Sequence, residues 1–147
     1  MSFQKYLPLM GRTFIGLSFL YAGLNNLTNF GATQERIAGM LPFPGLALAG
    51  NILCCLIGAI SLILGFKARW GAVILILFLI PTTLVFHPFW ADSSQANAFL
   101  KNLALIGSLL YVYYTGAGAV SLDAKSARQN RTLVSDLDGE PMIRTRE

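Results

Sequence analysis

The 147-residue chain is 54% hydrophobic and only 12% charged, whereas soluble domains carry about a quarter of charged residues. That balance points to an integral membrane protein of one compact domain, with no separate soluble module. The formal charge of +4 is small, and several cations lie near the ends of apolar runs, which suits anionic lipid headgroups; no nucleic-acid-binding pattern is present.

The first apolar span runs over about 7–27, after Lys5. A short basic start before an apolar core resembles a signal peptide. Arg12 inside the run, the lack of a clear small-x-small site and the later apolar spans favour a first helix of the mature protein. At 100° per residue, Arg12, Gly16, Phe19, Gly23 and Asn26 fall on one stripe, expected to face other helices because glycine admits close backbone approach and polar groups avoid lipid. Snorkelling to the nearby interface is an equal alternative for Arg12.

Polar residues then lead to LPFPG, where Pro42 and Pro44 stop any continuous helix. A short interfacial helix fits 33–40, carrying Glu35 and Arg36. The second span, about 46–66, has its own stripe of Asn51, Cys55, Gly58, Leu62 and Gly65. Cys54 and Cys55 are adjacent in an apolar run, a spacing that suits neither a redox pair nor zinc, so they read as reduced packing residues. Only Lys67, Ala68 and Arg69 separate this span from the next, which makes the two antiparallel neighbours.

The third span, 70–90, is bracketed by Trp70 and Trp90. Twenty steps at about 1.5 Å come to roughly 30 Å, the thickness of a bilayer's hydrocarbon core. Pro81 predicts a kink unless Thr82, Thr83 or a water compensates. His87, the chain's one histidine, sits a turn inside the Trp90 end and precedes Pro88. The fourth span, about 99–120, starts with Lys101 and Asn102 near its mouth, and 121–147 reads as a polar, mobile tail. Lys5, Arg12, Lys67, Arg69, Lys125 and Arg128 against Arg36 and Lys101 place both termini in the cytoplasm.

The expected fold is therefore an all-α, antiparallel up-down four-helix bundle over 1–120 in the bacterial inner membrane, with a cytoplasmic tail. Asn26, Asn51, His87, Lys101 and Asn102 converge in its outer half as a candidate polar pocket. Arg12, Gly16, Gly23, Gly58 and Gly65 are the candidate packing positions. Buried amides in hydrocarbon cost several kcal/mol unless paired, so the cluster is either a self-satisfied polar cap or a ligand pocket for a quinone headgroup. His87 is suited to donating from one ring nitrogen and accepting at the other. One histidine with distant carboxylates is a poor metal ligand set, and no metal is expected.

The stretches GRTFIGLSFLYAGLNNLTNF, LILGFKARWGA, TLVFHPFW and FLKNLALIGSLL resemble the DoxX family of small four-helix membrane proteins over roughly 11–118. The resemblance implies association with quinol oxidase or thiosulfate:quinone oxidoreductase subunits and other membrane redox complexes. The family often carries Lys at the place of Asn26 and Glu at that of Cys55, so two charges are missing here. The expected function is a nonenzymatic subunit or scaffold that supports a redox complex. The alternative is a quinone-reactive oxidoreductase subunit using the outer pocket, with quinone as its cofactor. The expected partners are the lipid bilayer and redox-complex proteins. A small transporter is less favoured, because four short spans would need homo-oligomerisation to hold a gated path.

Overall fold

The computed structural model describes residues 3–137, and they form six α-helices with no strand among them. These are α1 (Leu7–Thr28), α2 (Phe30–Ile37), α3 (Pro44–Leu64), α4 (Ala68–Phe86), α5 (Ala96–Thr115) and α6 (Leu122–Leu137). Pro8 and Pro44 stand in the first turns of α1 and α3, where a missing N–H costs nothing and a fixed φ favours the helix. The segment Phe3–Thr28, α3 and α4 are each long and apolar enough to cross a membrane. The fourth expected span, α5, falls short of that apolarity because Asn97, Lys101 and Asn102 occupy its first turns.

Helix α1 packs along α3, α3 along α4, and α4 along α5, while α5 touches α1 only lightly. The α1 face turned inward is Arg12, Gly16, Phe19 and Gly23. A Cβ on Gly16 would meet Ile63 Cγ1 at 2.7 Å and the Ala59 carbonyl oxygen at 3.1 Å, and one on Gly23 would meet Cys55 Cβ at 3.2 Å. The two backbones thus approach more closely than any larger residue would allow. Gly58 does the same toward α4, lying against Leu75, one of the largest fully buried side chains.

The α3–α4 turn is built from two unusual backbone positions. Gly65 ends α3 with φ 64°, its N–H reaching the Leu62 carbonyl at 3.2 Å while Phe66 N–H reaches Ser61 O at 3.1 Å. This is a left-handed glycine cap that satisfies the last carbonyls. Lys67, also left-handed at φ 48°, starts α4.

The cap on α4 comes from far along the chain: Asp123 accepts from Lys67 N–H at 2.7 Å and Ala68 N–H at 3.2 Å, and its own N–H donates to Gly65 O at 3.0 Å. Residues 122–137 therefore form a helix anchored to the bundle at its start, not the mobile tail that polar composition suggests; 138–147 lie outside the described residues. Arg12, 2% exposed, does not snorkel. Its Nη2 donates to the Val120 carbonyl, its Nη1 lies over Gly65, and Nε and Nη1 have no hydrogen-bond partner among the described residues. The guanidinium sits at the C-terminal end of α3, where the helix dipole favours a cation.

Candidate functional site

At the opposite end of the bundle, α1, α2, α3 and α4 enclose a cavity of about 530 Å³. Asn26 and Asn51 face it from α1 and α3, Thr33 and Arg36 from α2, and Pro81, Thr82 and His87 from α4 and its end. Ile37, Leu48, Phe78 and Val85 make much of the remaining wall. A second cavity of about 240 Å³ continues inward, lined by Cys55, Leu75, Asn102 and Leu105 together with Asn26, Asn51, Phe78, Thr82 and His87. Those last five residues border both lobes.

Four of the five residues expected to converge thus line these two adjoining lobes: Asn26, Asn51 and His87 both of them, and Asn102 the inner one. Lys101 does not; it is exposed on α5 and borders neither lobe. The helical period explains the split, since adjacent positions diverge by 100° and only one of Lys101 and Asn102 can face inward.

His87 differs from its expected setting. Helix α4 ends at Phe86, and His87 is its cap, with φ −129° and its N–H bonded to Thr83 O at 3.0 Å. Trp90 therefore lies beyond the helix, in a turn where it packs edge to face on Phe89 and Phe99 at centroid distances of 5.4 and 6.3 Å, while Phe89 and Phe99 are tilted at 4.7 Å. No helix spans the full Trp70–Trp90 stretch, because Pro88 disfavours the helical conformation in the residue before it.

The imidazole is oriented by the following loop. His87 Nδ1 donates to Gln95 Oε1 at 2.9 Å, since an amide oxygen only accepts. In the neutral ring this leaves Nε2 as a free acceptor. Gln95 is held in turn by Asp92, which caps the Ser93–Gln95 turn, accepting from Ser94 N–H at 2.9 Å and Ser94 Oγ at 2.8 Å. The Ser94 hydroxyl, followed by its amide, keeps the Asp92 carboxyl below its ordinary pKa.

Asn51 is oriented from below: its Oδ1 accepts from the Cys55 thiol at 3.1 Å, which leaves the amide N–H₂ unengaged by that bond. Both cysteines are free thiols. The helix continues through Pro81, with the Thr82 hydroxyl donating to Phe78 O at 2.8 Å and Thr83 to Leu79 O at 2.6 Å.

Sequence reasoning missed α2's contribution. Arg36, Thr33 and Ile37 reach the cavity because Gln34 seats α2 on the first turn of α3, about 3.4 Å from where a Gly45 Cβ would stand. Gln95 was also missed; its eight-residue separation from His87 crosses a helix end, where no regular period applies.

The DoxX family model matches residues 7–88. Inner membrane protein YqjF of Escherichia coli strain K12 is 31% identical over 115 residues, which cover 78% of this chain and 88% of the relative. Inner membrane protein YphA of the same organism is 30% identical over 128 residues, 83% of this chain and 91% of that one. A Surfeit locus protein 4 homolog of Schizosaccharomyces pombe is 28% identical over 83% of this chain, but only 38% of its own length is covered. No solved structure matches significantly.

Proposed function

This chain belongs to the DoxX family, and on that premise we propose that it is a multi-pass inner-membrane subunit that holds a quinone-class amphiphile in its outer cavity and supports a membrane redox complex. The observation that carries this reading is the two-lobed cavity, apolar over much of its wall, into which Asn26, Asn51, His87 and Asn102 converge. Such a mixture of an apolar wall and a few fixed polar groups is what small-molecule sites use for affinity and orientation. A quinone carbonyl would take a hydrogen bond from an asparagine amide, and a quinol hydroxyl would donate to His87 Nε2. Among the described residues no carboxylate lines either lobe, which suits a subunit that binds and orients its ligand.

In the membrane, α1, α3, α4 and α5 run up and down as an antiparallel bundle, residues 1–120 form the embedded domain, and both termini lie in the cytoplasm. The distribution of Lys and Arg supports this orientation. It places α2 and the cavity at the outer leaflet and α6 on the inner side.

Purified protein in nanodiscs, titrated with a short-chain quinone while tryptophan emission is followed, tests the ligand reading. Saturable quenching is expected, weakened about five- to tenfold by Asn51→Leu, the loss of one net hydrogen bond. A purely structural polar cap would instead show only the linear quenching of a solute partitioning into lipid, in wild type and variant alike, and that result overturns the reading.

A further inference from the structure

Taking the outer cavity to be a ligand site, we infer that it selects amphiphiles whose headgroup is an oxyanion over neutral ones of the same shape, and that Arg36 determines this preference. Among the described residues lining the outer lobe, Arg36 is the only one with a permanent charge, and none is an aspartate or glutamate. Glu35, its neighbour on α2, is exposed and does not border the space. Consecutive helical residues diverge by 100°, so Glu35 points away from the wall that Arg36 helps to form, while Arg36 itself stays exposed.

The hydrogen-bonding groups are of both kinds, and several are already engaged. The Asn51 carbonyl is engaged by the Cys55 thiol, His87 Nδ1 by Gln95, and the Thr82 hydroxyl by a backbone carbonyl. What remains includes donors, the amides of Asn26 and Asn51 and the five N–H groups of Arg36. It also includes acceptors, namely His87 Nε2 in the neutral ring, the Asn26 carbonyl and the Thr33 and Thr82 hydroxyl oxygens, so the preference for charge rests on Arg36.

An oxygen-rich, electron-rich headgroup satisfies this set, and a guanidinium holds a delocalised oxyanion through two parallel hydrogen bonds. Two sources share that chemistry: a quinone ionised at a ring hydroxyl, and a long-chain carboxylate. In either case an apolar tail would lie against Ile37, Leu48 and Phe78. Arg36, exposed in the last turn of α2, can be reached by a headgroup from outside the cavity.

The test pairs each anion with its neutral twin in protein-containing nanodiscs of zwitterionic lipid, corrected for partitioning into empty discs. The pairs are a 2-hydroxy-3-alkyl-1,4-naphthoquinone, ionised, against its 2-methoxy ether, and dodecanoate against dodecanol. A charge-assisted hydrogen bond corresponds to about 10- to 100-fold in affinity, so at least one anion should bind that much more tightly than its twin. Which pair shows the effect identifies the source. Arg36→Gln should remove the preference, and Glu35→Gln, altering the charge next door, should leave it unchanged. Equal affinity within both pairs in wild type overturns this inference and leaves the cavity reading standing. A preference that survives Arg36→Gln overturns the assignment to Arg36. If no probe binds saturably, the cavity is not a ligand site and both readings fall together.

Discussion

Gly58 and Leu75 provide a quantitative probe of the seam that supports the inner lobe. A Cβ added at Gly58 would lie 2.7 Å from Leu75 Cδ2 and 2.9 Å from Cδ1, and Leu75 is 1% exposed, so it has nowhere to turn. Overpacking of this kind costs about 1–3 kcal/mol, offset by the roughly 0.5–1 kcal/mol that alanine gains over glycine in a helix. Gly58→Ala should therefore lose about 1–2 kcal/mol. Leu75→Ala leaves a cavity, and since the unfolded helices already reside in lipid the cost is lost packing, at the low end of the soluble range, about 2 kcal/mol. The double variant places the new methyl group in the vacated space. Its loss should fall about 2 kcal/mol short of the sum of the single losses, the size of coupling that residues in contact show. Reversible unfolding in mixed detergent micelles, followed by circular dichroism, measures all three. Additivity to within about 0.5 kcal/mol would show that the two side chains do not share the space assigned to them.

At the other turn of the same seam, Asp123→Ala should cost about 1 kcal/mol through loss of the α4 cap and make residues 122–137 the first site of limited proteolysis; unchanged cleavage would mean the helix is held elsewhere. Gly65→Ala should be worse, about 2 kcal/mol or more, because φ 64° is strained for alanine and the methyl group displaces the Arg12 guanidinium. Gly50→Ala, whose Cβ meets nothing within 4 Å, should be tolerated, and equal melting temperatures for the two would contradict this account. Since Asp92 has a lowered pKa in the folded loop, the stabilisation it contributes is present above the ordinary carboxyl value of about 3.9 and is lost as pH falls through the lower native value. Ser94→Ala should move the Asp92 titration upward in carbon-detected NMR; an unmoved titration would mean that Ser94 is not its donor.

The inward face of α1 was legible because Arg12, Gly16, Phe19 and Gly23 recur at the helical period and differ in kind from the Leu and Phe around them. The same holds for Cys55, Gly58 and Leu62 on α3. Counting residues to the expected membrane ends set Asn26, Asn51 and His87 at one depth, and the structure brings the three to the wall of one cavity. Helix α6 was not legible, since its polar composition resembles a free tail and its anchor is one carboxylate, Asp123, meeting backbone amides 56 residues away. Arg36 could be assigned to the outer side by charge, but the direction an eight-residue helix faces is set by its seat, here Gln34 against Gly45. The end of α4 was misjudged because aromatic bracketing marks membrane interfaces, whereas Pro88 governs where the backbone stops being helical.

The central claim is that the space between Asn26, Asn51 and His87 receives an amphiphilic ligand, and photoaffinity labelling tests it most directly. Reconstituted protein would be irradiated with an azido-quinone, and the adducts located by mass spectrometry, with and without an excess of unmodified quinone. The account predicts competable adducts on the peptides holding Asn26, Thr33–Met40, Asn51 and Phe78–His87, with none on lipid-facing residues such as Tyr21, Leu46 and Leu77. Labelling spread over those exposed residues, and undiminished by competitor, would contradict it.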